Sequence, residues 1–334
     1  MPFSALVFPL RADSQKPITS ELFLFFTSFR FFAIMRAVQA AADCREKGYE
    51  GMNIGIRLHD TAPGTLSERL GFARAQGFSC AHLAMSKVID GFLMQDAPKL
   101  LTEELAGRVK GAFAEHEMGC AVLGCYLNLA NPDEEERKKT QEIYKAHLRF
   151  GRLIGAGVVG SETYALKTTH FSDGPAPQSE EAFQLFMKAF LPVVKWAEEY
   201  DEVMAIEPVC THIISTPERA ERMLDTVHSD HVKIILDAVN LVSNNTAGQA
   251  ESIIREAVRR LGDQVRVLHM KDFAVNPDKD GNEQVDFRPC GMGAMYYGDL
   301  LPLAKQYDLP MTLENTEPQN AEAARLYLEQ FGKH

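Results

Sequence analysis

From Met52 onward, short apolar runs that favour β-strands alternate with longer segments of helical periodicity, and this alternation constrains the fold more than any other feature. Strictly alternating strands and helices imply parallel strands joined by right-handed crossovers. The predicted strands cover residues 53–58, 78–85, 120–127, 156–163, 203–208, 232–237, 265–271 and 309–315. Eight such units indicate an α/β protein with a (β/α)8 TIM barrel, which typically needs ~250 residues. A doubly wound sheet is the alternative, but the GxGxxG turn expected after its first strand is missing.

The segments between the runs carry the signals of helices. Residues 133–154 are rich in Glu and Lys, and residues 179–200 have apolar side chains at helical spacing around Trp196. Side chains that cap helix N-termini precede several segments, and we predict caps at Thr65 or Ser67, Thr102, Asp133 and Thr216, the last ahead of Pro217. These starts agree with the alternating pattern.

The first 51 residues do not follow this pattern. Their apolar run, residues 22–35, is shorter than the ~20 residues of a membrane helix and contains Arg30. Basic residues before the run and small residues after it match a signal peptide only in part. We favour an N-terminal extension over residues 1–51, either disordered or the product of an upstream start, and assign residues 52–334 to the catalytic barrel domain.

Composition and charge exclude some classes of protein. Hydrophobic residues make up 46% of the chain, enough for a sizeable core. The net charge of -11 argues against a nucleic-acid partner, because that affinity comes from clustered Lys and Arg. The six cysteines form no CxxC pair or cluster, which indicates reduced thiols rather than a zinc ribbon or a disulfide scaffold. We therefore expect a cytoplasmic protein with no membrane partner.

Four consecutive predicted strands end on side chains that can bind a metal. Active sites of (β/α)8 barrels lie at the C-terminal ends of the strands. Because side chains alternate along a strand, each of the four shares the inward face with the residue two positions earlier. They are Glu207, Asp237, His269 and Glu314. Consecutive strands are neighbours in a closed barrel, so the four side chains should converge.

Three carboxylates and an imidazole in an enclosed site need a cation, because like charges repel strongly at low dielectric. Oxygen ligands with a single imidazole suit Mn²⁺ best, with Mg²⁺ or Co²⁺ as alternatives, whereas structural zinc prefers thiolates and several histidines. Each residue taken alone could be a solvated loop acid, a helix cap or a core histidine. The metal hypothesis rests on their common position at four strand ends.

The same residues and their surroundings resemble the xylose-isomerase-like barrel superfamily, and within it the sugar phosphate isomerase/epimerase group. The resemblance lies in the segments AIEPVCTH, IILDAVN, VRVLHMKDF, RPCGMGAMYYGDL and MTLENT. It implies that Glu207, Asp237, His269 and Glu314 bind one divalent metal and that Glu207 and Glu314 form the catalytic acid/base pair. The implied reaction is isomerisation or epimerisation of a sugar, sugar acid or sugar phosphate through a metal-stabilised enediolate.

Five further side chains are candidate substrate contacts from their places near strand ends: Glu162, His212, Asn240, Lys271 and Arg288. Instead of contacting a substrate, Glu162 could form a salt bridge at the rim of the barrel core. His212 and Arg288 could simply be solvated loop residues. Lys271 could instead form a salt bridge with Glu207 or Asp272. Asp272 lies on the opposite strand face and is expected to be structural, while His82 faces inward on the second strand.

Asn240 marks a departure from two groups of relatives. Relatives that cut DNA at abasic sites bind three zinc ions and have a histidine three residues after the strand-six aspartate, where this chain has Asn240. After the third strand only Asn128 is available. Both differences disfavour a nuclease. Ketose 3-epimerases often have a substrate-contacting histidine at the Asn240 position, so this residue also weighs against that substrate class, although its amide can hydrogen-bond a hydroxyl.

Two other functions remain compatible with the sequence. A lyase, or a subunit that cleaves carbon-linked glycosides, would use the same proton abstraction. A non-catalytic sugar-binding barrel would retain the polar strand ends for structure only. In each case the partner is a small-molecule carbohydrate, and aromatic loop residues would allow a homo-oligomer.

Overall fold

The computed structural model describes residues 52–164 and 176–331, so the predicted extension at residues 1–51 lies outside the described residues. The strands are β1 Ile54–Arg57, β2 Cys80–Leu83, β3 Gly119–Gly124, β4 Val158–Glu162, β5 Met204–Glu207, β6 Val232–Asp237, β7 Val265–Met270, β8 Asp272–Pro277, β9 Glu283–Arg288 and β10 Met311–Leu313. Eight of them form a closed parallel barrel in the order β1-β10-β7-β6-β5-β4-β3-β2. The predicted barrel and its eight strands are confirmed.

Helices surround the barrel and connect its strands. They are α1 Leu66–Ala75, α2 Met85–Val88, α3 Ala97–Leu100, α4 Glu103–Glu115, α5 Glu134–Ile154, α6 Glu180–Tyr200, α7 Pro217–Val227, α8 Ala250–Leu261, α9 Leu300–Tyr307 and α10 Ala321–Phe331. The side chains of Thr65, Thr102, Asp133 and Thr216 accept hydrogen bonds from the first turn of α1, α4, α5 and α7. The predicted caps are therefore confirmed, with Thr65 rather than Ser67 at α1, where Glu68 completes a capping box.

One element was not predicted from the sequence. Strands β8 and β9 pair antiparallel and form a hairpin that is separate from the barrel. The hairpin begins one residue after Lys271, at the end of β7, and precedes the last barrel strand. It explains why the interval between His269 and Glu314 is the longest among the four strand-end residues.

The core has two layers. Large aliphatic and aromatic side chains fill the space between strands and helices. A smaller separate cluster includes Ala205, Ile235 and Val267, whose side chains lie on the same strand faces as Glu207, Asp237 and His269. In the described ranges 52–164 and 176–331, no helix is both long and apolar enough to cross a membrane.

Candidate functional site

The four strand-end side chains lie together at the carboxyl end of the barrel. His269 Nδ1 is 3.1 Å from Glu207 Oε2 and 3.2 Å from Glu314 Oε1. Asp237 is the register partner of His269 on the neighbouring strand. One ligand atom each from Glu207, Asp237 and His269 lie within 4.8 Å of one another, and all three residues are buried. The parallel register thus produces the predicted convergence.

Asp237 is held by the turn that follows β6. Its Oδ1 accepts hydrogen bonds from the backbone amides of Val239 and Asn240, at 3.1 and 3.2 Å. These residues begin a one-turn 3-10 helix, Val239–Leu241. Short acidic side chains favour such turns because they satisfy nearby backbone donors. The aspartate therefore ends the strand and fixes the direction of its second oxygen, Oδ2.

Lys271 lies between two of the carboxylates. Its Nζ is 2.7 Å from Asp237 Oδ2 and 3.3 Å from Glu314 Oε2. The salt bridge considered from the sequence therefore exists, but with Asp237 and Glu314 rather than with Glu207 or Asp272. The reason is geometric, because the carboxyl groups of β6 and β10 flank the end of β7 on both sides.

Asn240 connects the ammonium to the remaining carboxylate. Its Nδ2 donates to Glu207 Oε1 at 2.6 Å, and its Oδ1 accepts from Lys271 Nζ at 2.7 Å. The side-chain amide thus serves as a donor to one neighbour and as an acceptor from the other. Asn240 therefore belongs to the charged network itself.

Charge interactions perturb most of the buried groups. Burial lowers the pKa of His269, but the carboxylates of Glu207 and Glu314 outweigh this effect and raise it to about 9. Burial raises the pKa of Asp237 to about 6 against the opposing charge of Lys271. Burial would also raise the pKa of Glu314, but His269, Lys271 and Arg57 hold it below its usual range. The site therefore contains strongly interacting charges in a place sheltered from water.

The donor set fits a divalent cation. Asp237 Oδ2 and both nitrogens of His269 are buried and make no hydrogen bond; their contacts with charged neighbours are ionic ones without hydrogen-bond geometry. Two cations, Lys271 and Arg57, contact a group of three carboxylates. The cluster of Glu207, Asp237, His269 and Glu314 thus offers buried ligand atoms without hydrogen bonds, which a metal ion would satisfy.

A cavity of about 490 Å³ opens above this cluster. Its walls include four residues that the sequence singled out: Glu162, Asn240, Lys271 and Glu314. Phe287 of the hairpin also lines it, with its ring centroid 4.5 Å from Lys271 Nζ. The volume accommodates a small organic ligand.

The three remaining candidates lie at different distances from the centre. Burial, together with the charges of Glu207 and Glu314, raises the pKa of Glu162 to about 8. His212 Nδ1 is 3.5 Å from Glu162 Oε2, and its ring stacks on Tyr164. Arg288 ends β9, pairs with Asp286 at 3.4 Å and is not among the residues that line the cavity. Glu162 is therefore the best placed of the three for contact with a ligand.

Sequence reasoning missed Arg57 and Tyr126 because it sought metal ligands only on the last four strands. Arg57 Nη1 is 3.3 Å from Glu314 Oε1. Tyr126 donates from Oη to Glu207 Oε2 at 3.4 Å. His82 does reach the site, since one ligand atom from it lies within 4.8 Å of His269 and Glu314. Arg57 could have been predicted from the sequence, because it is a charged residue at the end of the first strand and lies on the face that points into the barrel.

Asp272 is structural, as its strand face suggested. Its carboxylate accepts hydrogen bonds from the amides of Phe273, Gly291 and Met295 and from the hydroxyl of Tyr297. The glycine-containing loop after β9 is thus folded onto Asp272. At Gly293 a Cβ would lie 2.1 Å from the carbonyl oxygen of Phe273, so only glycine fits there.

Comparison with known proteins agrees with this fold and site. The family model described as xylose isomerase-like TIM barrel matches residues 70–331. The chain belongs to this family. The resemblance seen in the strand-end motifs is thereby confirmed.

Individual relatives come from the sugar isomerase/epimerase group. Over 148 residues the chain is 27% identical to a D-psicose 3-epimerase of Enterocloster bolteae, a match that covers 43% of this chain and less than half, 46%, of that relative. A 3-keto-D-glucoside 4-epimerase from E. coli superposes with a TM-score of 0.64 at 16% identity, over 84% of this chain and 99% of that one. A xylose isomerase-like barrel protein from Mycobacterium smegmatis, solved with magnesium, has a TM-score of 0.63 at 15% identity, over 84% and 96%. At sequence identities this low, the structural similarity shows a common fold.

Proposed function

We propose that the protein is a divalent-metal-dependent isomerase or epimerase of a sugar, sugar acid or sugar phosphate, with Mn²⁺ preferred and Mg²⁺ or Co²⁺ as alternatives. One observation carries the proposal: Glu207, Asp237, His269 and Glu314 converge beneath a cavity and leave buried ligand atoms without hydrogen bonds. Membership of the family and the epimerases among its relatives support a carbohydrate substrate.

Glu207 and Glu314 would act as an acid/base pair. The same nitrogen, His269 Nδ1, lies within 3.2 Å of a carboxylate oxygen of each, so the two carboxylates flank one small volume. A carboxylate on either side of a substrate carbon can remove a proton from one face and return one to the other, which inverts the centre. A divalent ion held by the four side chains would polarise the substrate carbonyl and lower the pKa of the neighbouring C–H.

Other side chains would orient the substrate. Lys271 and Asn240 line the cavity beside Glu314 and present an ammonium and an amide, which suit hydroxyl or carboxylate oxygens. Glu162 also lines the cavity and would contact the substrate, while His212 would act through its contact with Glu162. Arg288 would contact only a substrate that extends towards the hairpin. Asn240 stands where the resemblance implies a histidine in many ketose 3-epimerases, which weighs against their particular substrates and leaves the identity of the carbohydrate open.

Metal addition tests the cofactor. Titration with Mn²⁺ should raise the Tm by roughly 5 °C or more at a hundredfold excess over Kd, and EDTA should reverse the effect. The Asp237→Asn variant should lose this response, whereas Asp286→Asn, on the hairpin, should keep it. Metal content near zero after mild dialysis, with a Tm unaffected by EDTA, would refute metal dependence and favour a non-catalytic barrel.

Deuterium exchange tests the reaction. Protein with Mn²⁺ is incubated in D₂O with a panel of neutral, carboxylated and phosphorylated ketoses. Deuterium next to the carbonyl together with an epimeric or isomeric product is the expected result. Release of an aglycone or a dehydrated product would instead support the lyase or carbon-linked-glycoside alternative.

A further inference from the structure

His82 is a buried imidazole in the cavity wall that belongs neither to the four proposed metal ligands nor to the acid/base pair. It lies on β2 and is only 3% exposed. Its ring stacks between Tyr126 and His269, with centroid distances of 5.6 and 5.4 Å. One of its ring nitrogens lies within 4.8 Å of ligand atoms of His269 and Glu314. The ring is therefore held firmly at the edge of the proposed reaction centre.

Both nitrogens of His82 are buried, and within the described parts of the chain neither has a hydrogen-bond partner. A neutral imidazole has one N–H donor and one acceptor nitrogen. Leaving such a group unpaired in the interior costs ~1–3 kcal/mol, and most buried polar groups in folded proteins are paired. A polar ligand in the cavity would supply the missing partner.

Gly124 keeps one of these nitrogens open to the cavity. It ends β3 and lines the cavity together with His82. A Cβ at this position would lie 2.7 Å from His82 Nε2 and 3.1 Å from the ring of Tyr126. Any larger residue would fill the space in front of Nε2. The glycine and the unpaired imidazole thus form one feature, an open polar position in the cavity wall.

We propose that His82 contacts the substrate, hydrogen-bonding through Nε2 a hydroxyl on the carbon next to the one that exchanges its proton. The inference rests on the proposed function, since it assumes that the substrate carbon lies between Glu207 and Glu314. A hydroxyl both donates and accepts, so it pairs with either tautomer of the ring. His82 therefore selects polyhydroxylated ketoses over ketoses that lack this hydroxyl.

A substitution that keeps the ring and removes its nitrogens tests the proposal. Binding of D-fructose and 4-deoxy-D-fructose to Mn²⁺-loaded protein is measured by titration calorimetry, with 6-deoxy-D-fructose as the ligand control. The wild type should bind D-fructose about tenfold more tightly than the 4-deoxy sugar, the usual value of one hydrogen bond. In His82→Phe the two affinities should become equal, because the loss should fall on D-fructose alone.

Stability and metal content separate this role from two others. His82→Phe should keep the wild-type metal content and a Tm at least as high, because it removes unpaired polar atoms and preserves the stack. A structural histidine would lower the Tm, and a metal ligand would lower the metal content. Either result would overturn the proposal.

A second variant approaches the same position from the neighbouring strand. Gly124→Ala should weaken D-fructose binding and reduce the preference over the 4-deoxy sugar, because its methyl group occupies the space in front of Nε2. Wild-type protein that binds neither ketose, or a D-fructose affinity that His82→Phe changes less than twofold, would contradict the inference. Failure of the proposed function is distinct: it would appear as no deuterium exchange despite His82-dependent binding.

Discussion

Along the inward faces of the barrel strands, one level of side chains is apolar, and the next level, nearer the carboxyl ends of the strands, is charged. Ala205, Ile235 and Val267 form a dry cluster inside the barrel. Two residues further along the same strands lie Glu207, Asp237 and His269, which are equally buried but charged, and the last two carry atoms without a hydrogen bond. Two residues of a strand span only about 7 Å. The lower level stabilises the barrel by apolar packing, whereas the upper level carries the buried charges on which the proposed function rests.

Asp272 shows that burial of a carboxylate does not itself indicate function. Asp237 and Asp272 are 0% and 1% exposed. Asp272 accepts four hydrogen bonds from a loop and from its own strand, so its charge is satisfied within the protein. Asp237 has one oxygen with no hydrogen bond, directed at the cluster. The pattern of unsatisfied atoms, rather than burial, separates the site from the scaffold.

The largest effect should come from a substitution at the upper level. Glu314→Gln keeps the shape of the side chain but removes the proposed base, so deuterium exchange into substrate should fall at least a hundredfold. The far-UV circular dichroism should be unchanged. Glu322→Gln, on the exposed face of α10, is the matched control. If the rate of deuterium exchange in Glu314→Gln stayed within twofold of the wild-type rate, the charged level of the strands would not supply the base.

A substitution in the scaffold should show the reverse pattern. Asp272→Ala leaves three backbone amides and a hydroxyl without their acceptor, and we expect a loss of about 4 kcal/mol in the free energy of unfolding. Denaturant titration measures this loss, and Asp272→Asn should lose less because its amide oxygen still accepts. Metal affinity of the folded fraction should not change. A loss below about 1 kcal/mol would show that Asp272 is not the support of the loop.

The amino end of β5 offers the smallest and most specific test. Glu202 precedes the strand that Glu207 ends, and burial raises its pKa to about 7 from a usual 4.5. A raised pKa means that the folded state binds the proton more tightly than the unfolded state. The free energy of unfolding should therefore fall as the pH rises from about 4.5 to about 7.

Glu202→Gln should remove this pH dependence. The variant keeps the acceptor for the Val203 amide, which Glu202 Oε1 now binds at 2.9 Å. Chemical denaturation at pH 5 and pH 8 should show a relative gain of about 1 kcal/mol at the higher pH only. An equal change at both pH values would mean that packing, rather than ionisation, governs this position.

Local patterns predicted most of the framework. The alternation of apolar runs and helical segments was sufficient for the barrel, and cap residues such as Thr65 and Asp133 located helix starts to the residue. The convergence of Glu207, Asp237, His269 and Glu314 followed from side-chain alternation and strand order. The roles of these residues and the identity of the metal stay predictions.

Other features depend on contacts between distant parts of the chain. The β8–β9 hairpin was missed because its short strands, after β7, resemble a polar loop. The partners of Lys271 were wrong because their choice depends on how far the ends of β6, β7 and β10 extend beside one another. Arg57 lies on β1 and Tyr126 just after β3, and neither strand carried a motif.

The sequence by itself determined the type of fold, the helix starts and the four strand-end residues, because these follow from periodicity and from interactions within a few residues. Only the tertiary structure decided which charges meet and which polar atoms have no partner. Lys271 joins Asp237 and Glu314, and His82 faces the cavity across Gly124, because barrel closure brings the ends of all eight strands together. Such distances depend on register and curvature, which no local pattern encodes.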